Sequence, residues 1–257
     1  MEANEVKLTQ DQIDSFNRDG FVIVEKLISA DQVERLKIEV DRVAQRALEM
    51  DRDSGGFNFE KSGDDPLDAA ARIKAAGVLR KIQGIAEQSE AFGELARSSK
   101  VLDVVKSLIG PDISLHSNKL MFKPARYGSA KPWHQDYAYW READPVQISV
   151  WIAIDEATPE NGCVQFIPES HRLRLIKHIR RELQVDAGSI DVDKAVNAPA
   201  KPGSAVIFHC LTLHYSPPNT SDKSRRAMIL TYQPSASNAG PNSRAEVVRG
   251  EVIPPAA

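Results

Sequence analysis

The 257-residue chain is 42% hydrophobic and 27% charged, a composition typical of a globular protein with a sizeable core. Its net charge of −3 gives no reason to expect nucleic acid or an anionic membrane as a partner, and no apolar run approaches bilayer-spanning length. The N-terminus shows no signal peptide, and Cys163 and Cys210 are typical of small core residues, so we expect a cytoplasmic protein with reduced thiols.

The first 112 residues carry mostly helical patterns. Capping boxes at Thr9 and Ser29 predict two helices, the first of which ends at Gly20. Between them the residues FVIV, 21–24, predict a short buried strand, and a further helix is predicted over 99–109. The second helix presents one apolar stripe to the core, consisting of Val33, Leu36, Val40, Val43 and Ala47.

After residue 112 the pattern changes to short β-rich stretches separated by turn signals. They lie at 113–123, 146–154, 163–168, 204–210 and 227–233. Such strands with long insertions favour a mainly β fold with flanking helices (α+β), built on a jelly-roll, cupin-like double-stranded β-helix. We therefore predict one domain over 1–257, with a helical part over about 1–112 and a jelly-roll core over about 113–235.

Three segments are predicted to lie outside this core. Residues 51–68 are rich in Gly and Asp, which is typical of a mobile loop. Residues 171–200 form the longest interruption between strands and are a candidate for a flap over one end of the barrel, but the sequence does not show whether this segment or 51–68 acts as a lid. The chain from Ser235 onward is rich in Pro and Ala and is expected to be loosely attached.

The stretch HQD places His134 and Asp136 one residue apart. If both lie on one strand, an imidazole and a carboxylate share a face, which is two thirds of a metal site. In a chain with six histidines this spacing also arises by chance. The third ligand is expected to be His214, on a later antiparallel strand, whereas His209 is interpreted as a buried histidine satisfied by the backbone.

Two imidazoles and one carboxylate are the ligands of non-haem Fe(II) oxygenases, and they leave coordination positions for a chelating 2-oxo acid and O2. A structural zinc site would instead need a fourth ligand, usually Cys. Arg225, eleven residues after His214, is placed to bind the distal carboxylate of the 2-oxo acid, and strand alternation directs Arg226 away. Taken singly, an arginine near a strand start is more often a surface charge.

At this point the sequence resembles the phytanoyl-CoA dioxygenase family of Fe(II)- and 2-oxoglutarate-dependent oxygenases. The resemblance runs from LTQDQIDSFNRDGFVIVEKLIS near the start to about Gln233. It is carried by HQD (134–136), by ENGCVQFIPESHR (160–172) and by HYSPPNTSDKSRRA, which holds His214 and Arg225.

The resemblance implies further contacts with 2-oxoglutarate. Ser216 matches a residue that hydrogen-bonds the cosubstrate carboxylate, and Trp151 matches a tryptophan of that pocket. Lys81 and Lys119 match positions that reach or line it. Each has a structural alternative, such as a turn former at Ser216, barrel core at Trp151 and a surface lysine at Lys81. In this chain Glu169 replaces a glycine found in many family members.

The expected activity is therefore oxidation, chiefly hydroxylation, of a small organic molecule with release of succinate and CO2. Tyr139 and Trp140 are candidates for the substrate entrance, although aromatic residues here are equally consistent with core. The alternative is a cupin-like isomerase or small-molecule sensor that binds a metal without oxygen chemistry. The sequence does not identify the substrate or the oligomeric state.

Overall fold

Two facing β-sheets and a layer of helices make up the fold in a computed structural model, which describes residues 7–50, 53–60, 78–140, 145–179, 183–238 and 246–250. The helices are α1 (Gln10–Asp19), α2 (Ala30–Gln45), α3 (Ile85–Gln88), α4 (Glu90–Ala96), α5 (Ser99–Ile109) and α6 (Tyr137–Trp140). The strands are β1 (Phe21–Val24), β2 (Phe57–Phe59), β3 (Leu79–Gln83), β4 (Ile113–Lys123), β5 (Lys131–His134), β6 (Ile148–Ala153), β7 (Val164–Phe166), β8 (His178–Ile179), β9 (Gln184–Val185), β10 (Val196–Ala198), β11 (Ala205–His209), β12 (His214–Ser216), β13 (Arg225–Pro234) and β14 (Glu246–Arg249).

The larger sheet has eight strands in the order β1-β11-β6-β13-β4-β3-β2, and β14 also pairs with β4. The smaller sheet has the order β10-β7-β12-β5, and β8 and β9 form a separate pair. Neighbouring strands are antiparallel throughout the described residues. This arrangement confirms the expected jelly-roll core with flanking helices.

Strand alternation gives the larger sheet two different faces. On β6, Val150 and Ile152 pack outward in one cluster with Val40 of α2, and all three are fully buried. Trp151, between them, points inward and packs in a second cluster with Phe166 of the smaller sheet. Each such side chain contributes about 1.5–3 kcal/mol when buried. The helices therefore brace the outer face, as expected, and leave the space between the sheets for the site.

The predicted helix signals are confirmed. Thr9 and Ser29 both form complete capping boxes, and Gly20 ends α1 with a left-handed φ of 83°. The predicted apolar stripe of α2 is buried from Val33 to Val43. None of the helices in the described part of the chain is both long and apolar enough to cross a membrane.

Two expectations about segments outside the core were wrong where the structure describes them. Residues 57–59 form β2 rather than loop, because Phe57 is fully buried and the strand pairs with β3. Residues 51–52 and 61–68 lie outside the described residues. The C-terminal tail is fastened at 246–249, where β14 pairs with β4 and Arg97 binds Glu246 at 2.5 Å.

The structure describes residues 171–179 and 183–200 of the candidate flap, and part of this segment packs against the outer face of the smaller sheet. Val185 and Ile190 pack in one cluster with Trp133 of β5 and Leu213. Trp133 precedes His134, so it projects from the opposite face of the strand. The last strand of the segment, β10, extends the smaller sheet by pairing with β7.

Glu169 occupies a backbone conformation that favours glycine, the residue that the family resemblance leads us to expect at this position. Its φ of 63° lies in the left-handed region, which costs a non-glycine residue of the order of 1 kcal/mol. We expect Glu169→Gly to raise the free energy of unfolding by about 0.5–1 kcal/mol in urea denaturation. Glu34→Gly, in the interior of α2, is the matched control and should lower it by about 1 kcal/mol. Equal destabilisation by both changes would contradict this explanation.

Candidate metal and cosubstrate site

The metal site is built on the pairing of β5 with β12. In this antiparallel register His134 and His214 are direct Cα partners, and their ring centroids lie 4.0 Å apart. His214 also packs against the ring of Phe208, 4.8 Å away on the larger sheet. Both imidazoles therefore project into the space between the sheets, where they are 4% and 7% exposed.

Asp136 reaches the site from beyond the end of β5, so the prediction that it shares a strand with His134 was wrong. The strand ends at His134, and the chain turns into α6 at Tyr137. The turn is fixed by backbone bonds from Tyr137 N to Cys210 O and from Tyr139 N to Asp136 O, both 3.0 Å. The turn brings Asp136 back toward His134. The two ligands are therefore brought together by a turn and not by the extended strand that their spacing suggested.

Gln135, between the two ligands, anchors this turn. Its amide nitrogen donates to the carbonyls of Arg174 (2.8 Å) and Leu211 (2.7 Å), and its side-chain oxygen accepts from Ile176 N at 3.0 Å. The side chain is fully buried. The amide nitrogen and the amide oxygen of Gln135 both bond to main-chain groups. These bonds explain why the residue between the ligands is a glutamine and why it points away from them.

The three side chains present one ligand atom each to a common point. Asp136 Oδ1 lies 3.6 Å from His134 Nε2 and 3.8 Å from His214 Nε2, and the candidate ligand atoms all lie within 4.8 Å of one another. His134 Nδ1 donates to Pro132 O and His214 Nδ1 to Thr212 O, at 2.8 and 3.0 Å. Because Nδ1 carries the proton in each ring, Nε2 offers its lone pair to a metal.

Burial lowers the pKa of both imidazoles. For His134 the pKa lies well below 6.5, chiefly because of desolvation and then because of the neighbouring His214. For His214 desolvation again dominates, and Asp136 partly opposes it. Both rings are therefore neutral at pH 7, which is the form that binds a metal ion.

Ser149, which the sequence did not single out, orients the carboxylate. Its hydroxyl lies on the inner face of β6, 3.2 Å from Asp136 Oδ2, and within 3.1 Å of the hydroxyl of Thr231. The bond leaves Oδ1 directed at the two imidazoles. Ser149 and Trp151 are two residues apart on β6, so their side chains face the same side of the sheet. Because Trp151 was already a candidate, this spacing could have identified Ser149 from the sequence.

Arg225 opens β13 and points inward, as predicted. It is 4% exposed, its guanidinium carbon lies 5.2 Å from the centre of the Trp151 ring, and burial lowers its pKa to about 10. Among the described residues, its Nε has no hydrogen-bond partner. A buried charged donor without a partner is costly, and an entering carboxylate would satisfy it. Arg226 points outward to Asp155 at 2.7 Å, as predicted.

Two pairs of predicted residues, the lysines of the cosubstrate pocket and the aromatic residues of the entrance, lie in different parts of the structure. Lys81 and Lys119 lie on the inner side of β3 and β4, where Lys81 is paired with Met121 and Lys119 with Gln83. Tyr139, 44% exposed, meets the His134 ring edge-on at 6.0 Å, whereas Trp140 packs edge-on with His116 at 4.7 Å.

Ser216 and His209 complete the comparison. The hydroxyl of Ser216 donates to Gly162 O at 2.8 Å, and its backbone lies across from Lys131. His209 does not join the metal ligands: it lies on β11, in the other sheet, and accepts from Leu211 N at 3.1 Å. Its exclusion was predicted, and the structural reason is that the two histidines lie on strands of different sheets.

Lys123 is the principal residue that sequence reasoning missed. It ends β4 directly opposite Arg225, is 5% exposed, and donates to Ser216 O at 3.2 Å and to Pro217 O. Burial and then the charge of Arg225 lower its pKa to about 6. Lys119 and Lys123 lie four residues apart on β4, so their side chains face the same side of the sheet. This spacing could have identified Lys123 from the sequence.

These residues fit a metal ion and an anionic cosubstrate. Two neutral imidazoles and one carboxylate suit a divalent first-row metal and leave open positions. Arg225 faces the same space between the sheets, and its buried Nε, which has no partner among the described residues, suits a carboxylate.

Comparison with known proteins agrees with this arrangement. A sequence profile of the phytanoyl-CoA dioxygenase (PhyH) family matches residues 16–227. A probable alpha-ketoglutarate-dependent hypophosphite dioxygenase of Stutzerimonas stutzeri is 26% identical over 233 residues, covering 86% of this chain and 77% of its own. A methylphosphonate hydroxylase of Gimesia maris is 29% identical over 229 residues, covering 88% and 80%.

A solved structure shares the fold. EctD from S. alaskensis with bound Fe superposes with a TM-score of 0.76 at 23% identity, covering 99% of this chain and 91% of that one.

Removing the hydroxyl beside Asp136 should weaken metal binding without unfolding the protein. We expect Ser149→Ala to reduce Fe(II) affinity by about tenfold, because hydrogen bonds to ligating carboxylates orient them. The measurement is anaerobic calorimetric titration with Fe(II), and Ser189→Ala, at an exposed position, is the control. Unchanged affinity in Ser149→Ala would show that the hydroxyl does not orient Asp136.

The lowered pKa values also predict a pH dependence of the metal-free protein. Unfolded histidines bind protons below pH 6.5, whereas the folded imidazoles resist protonation, so the free energy of unfolding should fall as pH drops below 6.5. Each group contributes at most about 1.4 kcal/mol per pH unit. Denaturation at pH 7.5, 6.5 and 5.5 measures the slope, which should be smaller in His134→Gln. An equal slope in that variant would contradict the assignment.

Proposed function

The chain belongs to the phytanoyl-CoA dioxygenase family, and from this premise we propose that it is a hydroxylase that uses Fe(II), 2-oxoglutarate and O2 to oxidise a small organic molecule. The reaction would release succinate and CO2. The observation that carries the proposal is the buried His134–Asp136–His214 cluster together with the buried Arg225, which faces the same space between the sheets and whose Nε has no partner among the described residues. One group suits the metal and the other suits the far carboxylate of the cosubstrate.

His134, Asp136 and His214 would hold the iron. Ferrous iron in such a site supplies O2 activation coupled to oxidative decarboxylation of the 2-oxo acid. The protein contributes fixed ligand geometry, through the bonds of the two Nδ1 atoms to carbonyls and of Ser149 to Asp136. It also contributes a dry cavity, since all three ligands are less than a tenth exposed.

Arg225 would bind the distal carboxylate of 2-oxoglutarate, with the Trp151 ring against the guanidinium. Ser216 would donate to the same carboxylate by turning its hydroxyl away from Gly162 O. Lys119 is assigned to the same cavity wall, because it lies on the inner side of β4 and its charge is one of the smaller effects, after burial, that lower the pKa of both metal imidazoles. Lys81 is assigned to the same cavity wall from its place on the inner side of β3.

Tyr139 and Trp140 are assigned to the substrate entrance. Tyr139 combines contact with His134 and exposure of 44%, which is what a residue between the metal and solvent needs. A small substrate is supported by the relatives, whose names specify hypophosphite, methylphosphonate and ectoine. A metal-binding isomerase or sensor without oxygen chemistry has no use for a buried unpartnered guanidinium, which disfavours that alternative.

Succinate formation tests the proposal. The protein with Fe(II), 2-oxoglutarate and air should release succinate, and a library of small metabolites should reveal the substrate as the compound that raises the rate and gains oxygen by mass spectrometry. Absence of both succinate and an anaerobic 2-oxoglutarate complex would favour the isomerase or sensor.

Arg225→Met should raise the KM for 2-oxoglutarate by roughly 100-fold, because it removes a buried partner of a carboxylate. The matched control is Arg226→Met on the same strand, which faces Asp155 outside the cavity and should leave that KM within about twofold while lowering stability. Initial rates of succinate release measure both values. Similar KM values in the two variants would remove Arg225 from the cosubstrate site.

A further inference from the structure

Lys131, the first residue of β5, faces the metal side of the smaller sheet because the register of this strand is irregular. On a regular strand its spacing of three from His134 would place the two side chains on opposite faces. The Cα partner of His134 is His214. The Cα partner of Lys131 is Ser216, only two residues further along β12, so the register shifts between the two pairs, as at a β-bulge. Because His214 and Ser216 are alternate residues of one strand and direct partners share a face, Lys131 points toward the space between the sheets.

Tyr139 holds the amine of Lys131 near the metal ligands. The Nζ of Lys131 donates to the phenol oxygen of Tyr139 at 2.7 Å. The ring of Tyr139 in turn meets the ring of His134 edge-on, with the centroids 6.0 Å apart. An ammonium carries three N–H donors and a phenol carries one O–H donor, and the bond between them uses one of these. Positive charge and several donors in one place are the chemistry that binds an oxyanion.

The charge of Lys131 acts on the metal site. Burial is the main reason that the pKa of His134 and the pKa of His214 are lowered, and the charge of Lys131 makes a smaller contribution in the same direction to both. Coulombic effects fall with distance, so an ammonium that acts on both imidazoles also acts on a molecule bound beside them. It attracts an anion to that place and repels a cation.

The Lys131–Tyr139 pair lies apart from the arginine assigned to the cosubstrate. Lys131 is on β5, at the end of the strand order of the smaller sheet, whereas Arg225 is on β13 in the larger sheet. Tyr139 is exposed and Lys131 is half-buried, whereas Arg225 is buried. The pair is therefore accessible to a molecule that comes from solvent, while the guanidinium is enclosed.

We propose that the substrate carries an anionic oxygen group, a carboxylate or a phosphonate, and that the ammonium of Lys131 and the hydroxyl of Tyr139 bind it beside the metal. The inference rests on the proposed function and names the substrate class of that site. The alternative is a structural role, in which the bond between Lys131 and Tyr139 fastens α6 to β5. That role requires one N–H donor and no preference among ligands, so ligands that differ in charge distinguish the two roles.

The ligands of the test are methylphosphonate, butanoate and butanamide, the last of which is the uncharged counterpart of butanoate. Each is titrated anaerobically into the protein loaded with Fe(II) and saturating 2-oxoglutarate, and binding is followed as the change in the visible absorption of that complex. We expect at least one of the two anions to bind about tenfold more tightly than butanamide, because its hydrogen bonds are charge-assisted. A preference for methylphosphonate identifies the anionic group as a phosphonate, and a preference for butanoate identifies it as a carboxylate.

Lys131→Met, which removes the charge, should bind the preferred anion about tenfold more weakly and should keep its affinity for butanamide within about twofold. Lys131→Arg keeps the charge and should retain the affinity for the anion to within about threefold. The affinity for 2-oxoglutarate, titrated separately, should stay within about twofold in both variants. Lys100→Met, at an exposed position of α5, is the control that removes a lysine from the surface, and thermal denaturation reports the folding of each variant.

Equal affinity of the unaltered protein for the anions and for butanamide, or equal loss of both kinds of ligand in Lys131→Met, would overturn the inference and leave the proposed function standing. A loss of anion affinity in Lys131→Arg as large as that in Lys131→Met would assign the lysine to the structural role instead. Failure of the unaltered protein to form the anaerobic complex with 2-oxoglutarate would overturn the proposed function together with this inference.

Discussion

The pairing of β5 with β12 is the constraint on which the site depends. It sets two histidines that are 80 residues apart in sequence directly opposite each other, because antiparallel partners place their side chains on the same face. A register shift of one residue would turn one imidazole to the outer face, where Trp133 and Tyr215 stack at 5.4 Å. The stacked rings outside and the imidazoles inside both depend on this one register.

Electrostatics divide the cavity into two ends. At one end the carboxylate of Asp136 lies between two neutral imidazoles, an arrangement that a dication balances. At the other end the guanidinium of Arg225 lies beside Lys123, whose pKa of about 6 leaves its amine mostly neutral at pH 7, and an anion would balance the guanidinium. 2-Oxoglutarate has a chelating group at one end and a carboxylate at the other, and the proposed binding mode places one at each end.

The sequence predicted the larger sheet well because its central strands alternate between a helix-covered face and an inner face. Where prediction failed, long-range contacts decided the structure. Residues 57–59 form a strand only because β3 is available as a partner, and the tail at 246–249 is ordered by β4. Asp136 was chosen for its spacing on a strand, yet it reaches the site through a turn held by Gln135. Lys123 was missed because nothing local distinguishes it from Lys119, and its partner Arg225 lies a hundred residues away.

The first two residues of β13 face opposite sides of the sheet, and this bears on which substitutions the protein can accept. Arg225 faces the cavity, and its neighbour Arg226 ties the strand to Asp155 and Asp41 on the outside. The two imidazole ligands and the proposed carboxylate anchor are thus carried by paired strands, whereas Tyr139 and Trp140 lie on the one-turn α6. On the proposed assignment of Tyr139 and Trp140 to the entrance, substitutions there would change which substrate enters without moving the strands that carry the imidazoles, so new substrate preferences would be accessible by small steps.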